Sequence, residues 1–232
     1  MATTQPLEAN LNSIRSRISN ACELAKRSTD EVQILPVTKT HSAAIVELAK
    51  NAGFNSVGEN RVQEAAEKKQ SALVDIRWEL IGHLQSNKCR QAVEIFDRIH
   101  SVDSLKLVKR LDTAAAELGK KLPILLQFNT GEDPAKYGAK VDQADVMMEA
   151  CLNATHLKLQ GFMTIAPLDD NRDVALNTFV KLRELRDHCS QKFSHEMPEL
   201  SMGMSGDLEQ AIAAGSTLIR VGSALFGSRP PL

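Results

Sequence analysis

Lys39 follows a short apolar run, Val32-Gln33-Ile34-Leu35-Pro36-Val37, within the segment Thr38-Lys39-Thr40-His41. A lysine set directly after an apolar strand keeps its stem against packed residues. Partial desolvation of an amine lowers its pKa and exposes the neutral nucleophile that Schiff-base chemistry needs. A lysine that only snorkels from an apolar surface has the same local sequence, so the residue alone leaves both readings open. Two later segments bear on the choice. Ser201-Met202-Gly203-Met204-Ser205 and Arg220-Val221-Gly222-Ser223 each place small residues after an apolar run. Small residues let backbone N–H groups approach a phosphate, and a following helix N-terminus favours an anion. The plainer alternative is that Gly203 and Gly222 serve turns only. An amine beside a phosphate cradle would suit a phosphorylated aldehyde, provided the fold brings the two together.

The chain between these segments alternates strand-like and helical patterns. Leu11, Ile14, Ile18, Cys22 and Leu24 recur at helical spacing and predict a leading helix over Leu7–Lys26. Short runs rich in β-branched residues then predict strands at Val32–Val37, Phe54–Val57, Ile76–Ile81, Arg98–Val102, Leu122–Phe128, Leu157–Ile165, Pro198–Met202 and Thr217–Val221. Helical stretches fall between them, among them Ala43–Ala52, Arg61–Ala72, Ser104–Leu118, Val141–Leu152 and Val174–Lys192. Repeated βαβ units imply a parallel sheet, and eight of them imply closure into a TIM-type (β/α)8 barrel. An open doubly wound sheet shares the local pattern and is the alternative. The expected organisation is one domain over 1–232, with a leading helix in 1–30 and the barrel in 31–228. Polar residues and glycines gather at the predicted C-terminal strand ends, the rim where such barrels place their chemistry. In a closed barrel the eighth strand lies beside the first, so Lys39 would neighbour Arg220, Gly222 and Ser223.

Composition removes several function classes. The 232 residues are 43% hydrophobic and 25% charged with a formal net charge of −1, which leaves no concentrated basic face for nucleic acid. Cys22, Cys89, Cys151 and Cys189 are widely spaced and without histidines at ligand spacing, so neither a metal site nor a disulfide framework is expected. Scattered thiols, a start without a basic or apolar leader segment, and no membrane-length apolar run lead us to expect a cytoplasmic, monomeric protein.

Several segments together carry a family likeness: Val37-Thr38-Lys39-Thr40, Gly58-Glu59-Asn60-Arg61-Val62-Gln63-Glu64, and Trp78-Glu79-Leu80-Ile81-Gly82-His83-Leu84-Gln85-Ser86-Asn87-Lys88. They continue with His100-Ser101-Val102-Asp103-Ser104, Gly161-Phe162-Met163-Thr164-Ile165, Leu200-Ser201-Met202-Gly203-Met204-Ser205 and Arg220-Val221-Gly222-Ser223-Ala224-Leu225-Phe226-Gly227. On these residues, which span Lys39 to Gly227, the chain resembles the pyridoxal 5′-phosphate (PLP) homeostasis proteins, related to the N-terminal barrel of alanine racemase. The resemblance implies a fold-type III PLP-binding barrel without the C-terminal β domain, with the cofactor held as a Schiff base on Lys39. It implies further that Ser201, with Met202 beside it, and the Gly222-Ser223 turn hold the phosphate. Asn60 and Met163 would line the ring pocket, and Arg220 would face the pyridine nitrogen. The sequence departs from the family pattern at Glu79, where histidine is frequent, at Phe162, where leucine or methionine is usual, and at Tyr137, where a small or polar residue is usual.

These expectations favour a carrier over an enzyme. A guanidinium stays protonated, so Arg220 can donate to a ring nitrogen but cannot protonate it, which leaves the ring a weak electron sink. Racemases of this fold type use a tyrosine base from a second domain, and the chain is expected to lack that domain because it ends just after the eighth strand. The expected function is intracellular PLP homeostasis, with PLP-dependent apoenzymes as candidate recipients. Two alternatives stay open: a weak amino-acid racemase or related PLP enzyme, and a Schiff-base lyase of the same fold acting on a phosphorylated sugar.

Overall fold

The computed structural model describes residues 4–227. The leading apolar spacing forms α1 (Thr4–Leu24), with Leu7, Leu11, Ile14, Ile18 and Cys22 buried. The chain then runs β1 (Gln33–Pro36), α2 (Ala44–Asn51), β2 (Ser56–Glu59), α3 (Val62–Ser71), β3 (Arg77–Leu80), α4 (Cys89–Ile95), β4 (Arg98–Val102) and α5 (Leu105–Glu117). It continues through β5 (Leu122–Gln127), α6 (Ala144–Asn153), β6 (Leu157–Met163), α7 (Arg172–Phe193), β7 (Glu199–Ser201), α8 (Leu208–Ala213), β8 (Leu218–Val221) and α9 (Ser223–Phe226). The short helices α4, α8 and α9 complete the alternation; with so few turns, their spacing carries little periodic signal. The predicted strand at Phe54–Val57 begins two residues later. The N–H groups of Gly53 and Phe54 are spent on the carbonyls of Lys50 and Ala49, closing α2 before extended pairing can start.

All strand pairs are parallel, in the order β1-β8-β7-β6-β5-β4-β3-β2. The seam between β1 and β2 is joined by one bridge, Val37 to Gly58, where Thr38 N–H donates to Gly58 O at 3.0 Å. The result is a nearly closed eight-stranded barrel, and pairing of the first strand with the last excludes the open doubly wound alternative. Glycine at 58 suits the seam: a Cβ there would sit 3.2 Å from Leu35 Cδ2 and 3.3 Å from Ile81 Cδ1.

Two apolar regions flank the barrel wall. The large one fills the space between strands and helices, and includes Trp78, Phe96, Phe128 and Phe162. The Phe162 ring meets Phe128 edge-on at 4.8 Å, so this departure from the family pattern is a packing residue. The small region, Leu35, Val37, Ile81 and Leu218, lies inside the barrel. Helix α1 packs on α8 and α9 and is tied there by the Arg17–Glu209 ion pair at 2.7 Å and by Asn10 Nδ2 donating to Leu225 O at 3.0 Å.

Candidate functional site

Strand register assembles the rim around Lys39. Pro36 pairs with Val221 on one side of β1, and Val37 pairs with Gly58 on the other. Lys39 follows two residues after Val37, in a turn closed by His41 N–H donating to Thr38 O at 3.2 Å, and Asn60 follows two residues after Gly58. Gly222 lies against β1, since a Cβ on it would meet Val37 O at 3.3 Å and Val37 Cβ at 3.5 Å. Ser223 is exposed at the start of α9, where the first N–H groups of a helix have no intrahelical partner. Lys39 itself is half-buried. Residues distant in sequence therefore meet at one rim, as closure of the barrel requires.

Below the rim the lumen is polar. His100 on β4 reaches Ser201 on β7, Nδ1 to Oγ at 3.0 Å, although these strands are not neighbours in the sheet. Such a contact must cross the barrel interior. His100 Nε2 lies 2.8 Å from Glu79 Oε2, and Arg98 donates to the same carboxylate from Nη2 at 2.8 Å. Arg98 also lies 3.6 Å from Glu199. On the other flank, Arg220 Nη1 donates to Ser201 O at 2.7 Å and Ser201 Oγ at 2.9 Å, while Nη2 donates to Thr164 O at 2.9 Å. A continuous chain runs Arg98–Glu79–His100–Ser201–Arg220.

Protonation follows from burial and pairing. Burial opposes ionisation of Glu79, yet the hydrogen bond from His100 and the charge of Arg98 outweigh it and hold the carboxyl down to about 2. Burial pushes His100 down to about 4, against the pull of Glu79, so the imidazole is neutral near pH 7. Its proton then sits on Nε2, donated to the Glu79 carboxylate, and Nδ1 is left as an acceptor for the Ser201 hydroxyl. Burial likewise lowers Arg220, to about 10. Arg220 is 3% exposed, and among the described residues no carboxylate comes within ion-pair distance of it. A buried cation held only by carbonyls and a hydroxyl is electrostatically incomplete.

The predicted site residues separate into two groups. Lys39, Asn60, Gly222 and Ser223 follow the C-terminal ends of β1, β2 and β8 at the rim, and Arg220 lies on β8 beneath them. Met163 is buried and in register with Ser201, which puts both on the lumen side. Met202 does not line the pocket. One residue on from the lumen-facing Ser201, it points outward by strand alternation and belongs to the large apolar region between strands and helices. The Ser201 hydroxyl is fully buried, accepts from Arg220 Nη1 at 2.9 Å and lies 3.0 Å from His100 Nδ1. Glu79 and His100 were not singled out as site residues from the sequence. The signal available was alternation: Arg98 and His100, and Glu199 and Ser201, are polar at i and i+2 in strands whose other residues are mostly apolar.

Tyr137 stacks on His83 at 3.8 Å, and His83 Nδ1 lies 3.3 Å from Asp103. With Asn60, Arg61, Gly82 and Lys88, Tyr137 and His83 border an open cleft of about 610 Å³ at the same rim. A cavity of about 710 Å³ among Arg15, Gln33, Asn55 and Arg77 opens at the opposite end of the barrel, away from the strand ends that carry chemistry in this fold. Among the described residues no cluster of His, Cys, Asp and Glu could hold a metal ion, and no helix is long and apolar enough to cross a membrane.

The alanine racemase N-terminal domain family matches residues 9–230. The chain is 35% identical over 227 residues to the pyridoxal phosphate homeostasis protein of Haemophilus influenzae, covering 96% of each. It is 42% identical over 200 residues to that of Synechocystis, covering 85% of this chain and 92% of the relative. This chain belongs to the pyridoxal phosphate homeostasis protein family. Among solved structures, PipY of Synechococcus elongatus PCC7942 with PLP bound superposes at a TM-score of 0.80 with 39% identity, covering 92% of this chain and all of PipY. An alanine racemase from Clostridium difficile superposes at 0.79 with 14% identity over 58% of its length, which shows a shared barrel and nothing more.

Proposed function

We propose that this protein binds PLP through Lys39 and holds it as an exchangeable cytosolic store for PLP-dependent apoenzymes, without efficient turnover of its own. The observation that carries the reading is the placement of three groups at one rim: Lys39 in the turn after β1, the Gly222-Ser223 turn after β8, whose Gly222 lies against Val37, and the buried, carboxylate-free Arg220 on β8 beneath. PLP answers each of them. When bound, it supplies an aldehyde that a lysine amine captures reversibly as a Schiff base, a phosphate dianion, and a ring nitrogen with a lone pair. Arg220 uses three N–H groups on Ser201 and Thr164; a guanidinium has about five, so about two remain for an acceptor. Ser223 and the opening N–H groups of α9 suit the phosphate, and Asn60 and Met163 border the ring's place. The family's name and the PLP-bound PipY support the same assignment.

The carrier reading rests on Arg220. Held by carbonyls and permanently charged, it can stabilise a ring nitrogen as acceptor but has no proton to give it, so the cofactor's carbanion chemistry is weakly supported. The two rim histidines are engaged elsewhere, His83 with Tyr137 and Asp103, and His41 with its ring 5.8 Å from that of Phe226. The test is direct. Purified protein reconstituted with PLP should be yellow, and borohydride should fix the chromophore on Lys39. Incubation with L- and D-amino acids should give neither racemisation nor keto acid at about 1 s⁻¹ or faster, the low end of ordinary enzymes. Turnover at that rate would replace the carrier with a racemase-type enzyme.

A further inference from the structure

Three charged side chains on the outer face of the barrel grip the residues on both sides of Lys39, two of them through the backbone. Lys68 Nζ donates to Thr38 O at 2.7 Å, to Glu59 Oε1 at 2.7 Å and to Glu64 Oε1 at 2.7 Å. The Thr38 hydroxyl donates to Glu59 Oε1 at 2.6 Å, and Thr40 N–H donates to Glu64 Oε1 at 2.5 Å. Glu59 is the last residue of β2, Glu64 lies in the first turn of α3, and Lys68 is one turn further on. Thr40 has φ +65°, a left-handed conformation that a β-branched residue adopts only when its surroundings impose it. Val37 belongs to the cluster inside the barrel, Thr38 turns outward to Glu59 and Lys68, and Lys39 follows in the turn that His41 N–H closes on Thr38 O at 3.2 Å.

Fold stability alone is a poor explanation for this cluster. The Glu59 and Lys68 side chains are 0% and 7% exposed, one cation faces two carboxylates, and Glu59 Oε2 has no hydrogen-bond partner. Burial raises the Glu59 pKa in spite of Lys68 and Thr38, so the arrangement works against its own charge. Well-packed apolar residues commonly replace buried ion pairs without loss of stability. What apolar residues could not do is hold a carbonyl, a hydroxyl and an N–H on either side of one lysine.

We infer that Lys68, with Glu59 and Glu64, is the positioning device for Lys39, fixing Thr38 and Thr40 so that the lysine stem enters the barrel mouth at the angle needed to meet an aldehyde. The inference rests on the proposed PLP chemistry of Lys39, and its test separates the two. Lys68→Met paired with Glu59→Gln removes the hold on Thr38 without leaving a charge at the fully buried Glu59 position. Glu64→Ala releases only Thr40, from a half-buried helix position, and serves if the double variant fails to fold. Glu64→Gln keeps the acceptor and is the rescue. Two rates are read: formation of the borohydride-fixable PLP adduct on Lys39, and acylation of Lys39 by a small amine-reactive ester without PLP, both mapped by peptide mass spectrometry. Melting temperature is followed in parallel. We expect adduct formation to slow about 10- to 100-fold in the releasing variants, with altered Lys39 acylation, a near-native melting temperature, and near wild-type behaviour of Glu64→Gln. Wild-type rates for both reactions in the folded releasing variants would overturn the inference. A wild-type protein that forms no adduct, but whose Lys39 acylation still responds to Glu64→Ala, would overturn the PLP reading and leave the positioning role standing.

Discussion

Acidification should destabilise this protein well above the usual carboxylate range, and His100 is the reason. The folded state holds the imidazole neutral down to about pH 4, whereas the unfolded chain protonates it near 6.5. As pH falls through that window the unfolded state binds the proton first, so stability is lost progressively from 6.5 to about 4. Integrated from pH 7 to pH 4.5, the loss is about 2 kcal/mol. Glu79 acts in a lower window. Its folded pKa is depressed to about 2 from 4.5, so its contribution is intact above 4.5 and fades only below. The comparison to make is wild type against His100→Gln, since an amide can still donate to Glu79 and accept from Ser201 without titrating. Denaturant midpoints at the two pH values, read from the single and buried Trp78, give both curves. The wild type should lose about 2 kcal/mol more than the variant. Parallel curves, or an imidazole that titrates in the folded protein near 6.5 by NMR, would refute the neutral-His assignment and with it the proton placement on Ser201.

Lys39→Ala should lose the PLP absorbance and the borohydride-fixable adduct while keeping its melting temperature; a reducible adduct at another lysine would move the site. Ser223→Ala should weaken PLP retention by about 1.5–3 kcal/mol, roughly 10- to 150-fold in dissociation constant, as expected for one hydrogen bond to an ionised phosphate. Ser201→Ala should act differently, lowering stability by about 1–3 kcal/mol because His100 Nδ1 loses its buried donor. Faster PLP loss from that variant with an unchanged melting temperature would show that the hydroxyl reaches the phosphate after all. The four thiols are buried, and burial pushes Cys89 and Cys189 up to about 11 and Cys151 to about 12. A disulfide reagent at pH 8 should therefore find none of them until denaturant is added.

The alternation of β-branched runs with helical spacing was enough to place all eight strands, because a strand and a helix bury apolar residues at different periods whatever surrounds them. That the Gly222-Ser223 turn lies beside the end of β1 was legible for a related reason: once eight βα units are counted, closure sets the last strand beside the first. Element ends were less so, as at Phe54, whose N–H is taken by the preceding helix. What the sequence could not disclose was the side of the wall each polar residue occupies below the rim. Ser201 and Met202 are adjacent and equally plausible as ligands, yet alternation sends one into the lumen and the other into the outer core. Glu79, His100 and Arg220 lie 21 and 120 residues apart along the chain and are linked through Ser201. Their protonation states depend on burial and on charges supplied by other strands. Those quantities come into being only when the barrel closes, so the tertiary structure alone decides them.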